Sequence, residues 1–91
     1  MEQACYSGIL AKIEEGPDRL SLVMVPAGTP EDRWDDPMEQ YVFHVGEKTR
    51  FSFPPEELRP GMALVIGNNG IATRSLPPQS AALFVMAGRT N

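Results

Sequence analysis

Apolar and polar residues alternate with a period near two along most of the chain, the pattern of half-buried β-strands. In "ACYSGILAKIE", Cys5, Ile9, Ala11 and Ile13 share one face, while Tyr6, Leu10 and Lys12 share the other. Gly8 falls inside that run and predicts a bend or bulge, as a tightly curled strand needs. "EEGPDR" predicts a turn, because Pro17 presets one torsion, Gly16 tolerates positive φ and Asp18 can bond its own backbone. "RLSLVMV" follows as a second strand, with Leu20, Leu22 and Met24 on one side and Val23 and Val25 on the other. The two strands read as a hairpin.

The alternation stops at 26–38. "PAGTPEDRWDDP" holds three prolines, one glycine and four acids with no period. It predicts a long exposed loop, with a short helix capped by Thr29 as the lesser reading. Loops of this length are often functional. "EQYVFHV" predicts the third strand, and a turn at "GEK" leads to "TRFSF". "PEELRPG" allows one helical turn at most, with Pro55 at its first position and Gly61 beyond its end. "MALVIG" reads as a buried strand, Asn69–Gly70 as a type I′ hairpin turn, and "IATRSL" as the strand that pairs back. Pro77 and Pro78 have no backbone donor, so they break that run and turn the chain into "SAALFVMAG". A stiff corner suits a final strand that crosses to the other edge of the sheet.

These elements predict an all-β fold over 1–91: a small OB-like barrel of five to six strands with at most one short helical turn. An SH3-like barrel is the alternative. Ninety-one residues make one domain, and 42% hydrophobic residues suffice for its core. A single cysteine, Cys5, excludes an internal disulfide. No apolar run approaches the roughly 18 residues of a membrane span. With Met1 as the natural start the protein is expected in the cytoplasm; with a leader removed, outside it. The net charge of −4 and scattered basic residues disfavour nucleic acid, whose phosphates demand clustered Lys and Arg.

Leu58 before the Gly61 turn, an apolar strand, the Asn69–Gly70 pair, and Ser75, Leu76, Pro77, Pro78 and Gln79 leading to Ala82 form a recognisable series. Over residues 51–85 it resembles the YobA-like group of small bacterial domains, with a looser likeness over 8–25. The resemblance implies an OB-like barrel, often in exported proteins or lipoproteins of Gram-positive bacteria. It carries no catalytic residues to this chain.

Candidate chemistry is sparse. The single histidine, His44, is expected at an exposed or edge position, and Cys5 as a small strand residue. Neither has an evident partner for nucleophilic or general-base work, so an enzyme is not expected. Glu31, Asp32, Asp35, Asp36 and Glu39 put five carboxylates in nine residues. Their spacing is not that of an EF-hand, Arg33 intervenes, and a solvated loop is expected rather than a metal site. No cofactor is implied. Trp34, among these charges, could stack on a sugar or a cationic partner, or fold back to plug the barrel. In OB-like barrels ligands lie across the second and third strands and flanking loops. The expectation is therefore a non-catalytic binding domain. It would contact a protein, peptide or saccharide through Trp34, Asp32, Asp35, Asp36 and Tyr41 with the adjacent strand face. A structural or self-associating β module, hence a homo-oligomer, is the alternative, and an oligonucleotide-binding OB domain a minor one.

Overall fold

A computed structural model of the protein describes residues 4–88. Met1, on which the expected compartment turns, and Arg89 lie outside them. Five strands form a closed barrel: β1 (Ala4–Glu15), β2 (Leu20–Pro26), β3 (Tyr41–Phe51), β4 (Ala63–Asn68) and β5 (Gln79–Ala87). Their order around the barrel is β1-β2-β3-β5-β4, with β4 returning to β1. All pairings are antiparallel except β3 with β5, which run parallel and close the barrel. This is a small OB-like barrel. Two single 3₁₀ turns complete it, Glu31–Arg33 and Pro55–Glu57. The second starts at Pro55, whose missing donor costs nothing at a first helical position.

The core follows from the alternation. Leu10, Leu22, Met24, Phe43, Leu64, Ile66 and Val85 point inward and are buried, each stabilising by roughly 1.5–3 kcal/mol. Leu58, after the Pro55 turn, joins them from the segment between β3 and β4. Val23, Val25 and Val42 are buried too, yet lie outside this cluster, on the opposite face from Leu22, Met24 and Phe43.

Three sequence expectations need correction. First, β1 carries a register shift between Leu10 and Lys12, where Ala11 has no partner on β2. The shift brings Ile13 onto the core with Leu10, although simple alternation puts them on opposite faces. The Leu10 backbone there bonds the chain entering β4, receiving Gly61 N–H (2.7 Å) and donating to Met62 O (2.8 Å). Second, "GEK" does not reverse the chain. β3 continues through it, with a shift in its pairing to β5 between Val45 and Arg50. Thr49 Oγ1 bridges this stretch by accepting from Gly46 N–H (2.9 Å) and donating to Ala82 O (2.7 Å).

Third, residues 71–76 are not a strand, and Asn69 does not take positive φ; only Gly70 does, at 78°. Two asparagine side chains stand in for a ladder: Asn68 Oδ1 accepts from Gly70 N–H (2.8 Å) and Asn69 Oδ1 from Ile71 N–H (3.0 Å). The rest of the loop is also tied down. Thr73 and Gln79 exchange two bonds, Ser75 Oγ donates to Pro77 O (2.9 Å), and Ser80 Oγ donates to Ile71 O (2.6 Å). Side chains replace strand pairing because the two prolines remove the donors that pairing would use.

Candidate functional site

The outer face of β2 and β3 is built around His44. Phe43 points into the core, so its neighbour His44 points out. It lies opposite Ser21 on β2 and Ala81 on β5. His44 is therefore central and half-buried, which corrects the expectation of an exposed or edge position. Its Nε2 lies 2.7 Å from Gln79 Oε1 and its Nδ1 lies 2.8 Å from Ser21 Oγ. An amide oxygen only accepts, so Nε2 carries the proton and the Ser21 hydroxyl donates to Nδ1. One imidazole thus ties three strands together in a single tautomer.

Three open concavities adjoin at this residue. The first, about 540 Å³, lies between His44, Arg19 and the 69–78 loop at Ile71 and Thr73. The second, about 330 Å³, continues past Arg19 and Ala81 to Lys48 and Leu83. The third runs the other way over Val23 and Val42, between Lys12, Gln40 and Pro77. Together they make a shallow trough with a floor of small apolar residues and a rim of amides, hydroxyls and cations, plus the Glu14 carboxylate in the third concavity. Polar groups on this trough offer both donors and acceptors.

The acidic loop is placed differently. Trp34 is half-buried, and its Nε1–H donates to Thr29 O (2.9 Å) within the same loop. The partly buried side chains packed on the core include Tyr6, Tyr41, Phe51 and Phe53, but not Trp34, so the ring does not plug the barrel. Asp32, Asp35 and Asp36 are exposed, and Asp36 Oδ1 accepts from Met38 N–H (2.9 Å). Among the described residues no group of His, Cys, Asp or Glu is gathered to hold a metal ion. Gln40 joins loop to trough: its Nε2 donates to Trp34 O (2.8 Å) while the residue lines the third concavity.

Tyr41 faces the other way from His44. It stacks on Phe43 with centroids 4.5 Å apart and an interplanar angle of 8°. Tyr6 leans on both rings, at 5.4 Å and 5.3 Å. The structure therefore brings Trp34, Asp32, Asp35 and Asp36 into one loop and puts Tyr41 on the inward side of β3. Burial pushes the Tyr6 phenol above its ordinary value of 10.0, and the negative charges of Glu39 and ionised Tyr41 push the same way. An acid raised by folding loses its proton first in the unfolded chain. Its contribution to stability is whole below about pH 10 and is lost as pH climbs through the raised value. Stability should fall as pH rises above about 10, and Tyr6→Phe should flatten the fall, measured as urea midpoints at increasing pH.

The chain matches no protein-family model and no curated protein. The case for a site therefore rests on geometry. Ser21, Gln79 and Arg19 are the members that sequence reasoning missed. Ser21 and Gln79 stand 23 and 35 positions from His44, so only strand pairing makes them neighbours.

Proposed function

We propose that the chain is a non-catalytic binding domain whose ligand lies across the outer β2–β3 face. The ligand would be a peptide segment of a partner protein or a polar saccharide. The 16–19 and 69–78 loops flank that face, and Gln40 carries it to the acidic Trp34 loop. One observation carries the proposal: three concavities converge on His44, whose orientation two side chains fix. A preorganised polar centre on a shallow trough suits recognition of an extended, hydrogen-bonding ligand.

Ser21, His44 and Gln79 superficially echo a nucleophilic triad. In such triads a carboxylate stabilises the imidazolium that forms when the serine is deprotonated. Gln79 brings no charge, so it can orient the ring but not support that step. The nucleic-acid alternative asks for stacking aromatics on the binding face, whereas Phe43, Phe51 and Phe53 pack on the core. Self-association by edge pairing has little to work with, because each strand has a neighbour on both sides.

Titrating ¹⁵N-labelled protein with maltopentaose and with a neutral Ser/Gln/Ala hexapeptide tests the proposal. At least one should shift the amide signals of Ser21, His44 and Gln79, and His44→Ala should abolish the response. Shifts confined to residues 31–39, or none with either probe, would sink it.

A further inference from the structure

The charges around the trough are unevenly placed. In a chain of net charge −4, the first two concavities have no carboxylate in their lining. Their formal charges are Arg19, which borders both, and Lys48 at the far end. Among the described residues the one ion pair is Lys12 with Glu14, at 3.6 Å, so neither Arg19 nor Lys48 has a carboxylate within salt-bridge reach. The local balance runs opposite to that of the whole chain, in which acids outnumber bases twelve to eight. Glu14 lines the third concavity, and with Glu15 and Asp18 it lines a separate concavity that Arg19 also borders. Arg19 thus marks a boundary between an acidic and a basic surface.

The wall of the trough has a second property. Ile71, which lines the first concavity, is 70% exposed, and Leu76, farther along the same loop and outside the concavities, is 64% exposed, although the loop is fixed by the side-chain bonds described above. An aliphatic held in water on an ordered loop can meet an apolar side chain of a partner with its ordering cost already met. Saccharides have little use for such residues. A peptide with apolar side chains does.

Resting on the binding face proposed above, we infer that its occupant is an acidic, extended peptide segment of a partner protein. Its carboxylates lie between Arg19 and Lys48, and its apolar side chains lie against Ile71. The boundary at Arg19 sets the direction: the acidic stretch runs toward Lys48, away from Glu14 and Asp18. His44 and Gln79 form the floor midway; the ring nitrogens of His44 are engaged by Ser21 and Gln79, so the Gln79 side-chain NH₂ group is what this floor offers a peptide carbonyl. Complementary charge of this kind governs association rate and selectivity more than final affinity.

Fluorescence anisotropy with three labelled decapeptides tests this, alternating Leu with Glu, with Gln or with Lys. The Leu/Glu peptide should bind most tightly and weaken at least several-fold when salt rises from about 50 to about 500 mM. Arg19→Gln with Lys48→Gln should weaken it about five- to tenfold, in keeping with two exposed charge contacts. Both side chains are exposed, so the variant should melt like the parent. In the reversed variant, Arg19→Glu with Lys48→Glu, preference should pass to the Leu/Lys peptide.

Amide shifts separate the outcomes. If the Leu/Gln peptide binds equally well and moves Ser21, His44 and Gln79, the face is a binding site but charge does not select its ligand, and the inference fails. If no peptide moves those residues, the binding face itself is wrong. Preference unchanged in the reversed variant would also overturn the inference.

Discussion

Truncating Phe43 to alanine should cost about 3–5 kcal/mol, the range for deleting a fully buried aromatic side chain. Phe43 is completely buried, pairs across from Leu22 on β2, and stacks on Tyr41 while touching Tyr6. No neighbour can collapse into the space easily, because the surrounding side chains are held by strands closed into a ring. A domain of this size has roughly 5–14 kcal/mol of total stability, so the loss is a large fraction of it. Urea unfolding should show a lower midpoint with an unchanged slope, and thermal unfolding a midpoint lower by at least about 12 °C. Phe43→Leu should fall well short of that. A loss under about 1 kcal/mol for the alanine variant would mean that the barrel interior is looser than described.

Gly8→Ala is expected to rank next, and for a different reason. A β-carbon at Gly8 would overlap the Val25 carbonyl oxygen and sit 2.8 Å from Tyr6 Cε1. The torsions of Gly8 are ordinary, so space is the constraint, and the nearest obstacle is backbone within a ladder. Overpacking of this kind typically costs about 1–3 kcal/mol, with rigid obstacles at the upper end. Gly67 supplies the contrast. Its added β-carbon would overlap the half-buried Phe84 ring, which lies across it from β5. A side chain at the surface can swing aside, so Gly67→Ala should cost less than Gly8→Ala. In a Phe84→Ala background Gly67→Ala should be nearly neutral, a coupling that a double-mutant cycle measures directly. Equal penalties for Gly67→Ala with and without the ring would refute the clash as its cause.

Gly8 and Phe43 also show what could be read without coordinates. Strands announce themselves by alternation, so the shared face of Leu22 and Met24 was visible in the sequence, as was the helical turn at Pro55. Alternation fails where one residue drops out of register. Nothing local to Ala11 marks the shift that puts Leu10 and Ile13 on one side. "IATRSL" alternates like a strand, but a strand needs a partner with free donors, and the loop's hydroxyls and amides satisfy its backbone instead. The His44 centre was illegible for a simpler reason. Its partners come from β2 and β5, and no spacing rule links a serine, a histidine and a glutamine across two crossovers. Trp34 was conspicuous because it is rare, yet its indole N–H is used to hold its own loop.

The parallel pairing of β3 with β5 has a consequence for how the protein is made. Until the fifth strand in chain order emerges from the ribosome, neither β3 nor β4 has its second neighbour. A nascent chain carrying four strands is an open sheet with two sticky borders. Joining them requires contacts between residues far apart in sequence, a step that topology makes slow. Point changes within β5 should therefore damage soluble yield during synthesis more than they damage the finished molecule, and chaperone supply should matter most for those variants.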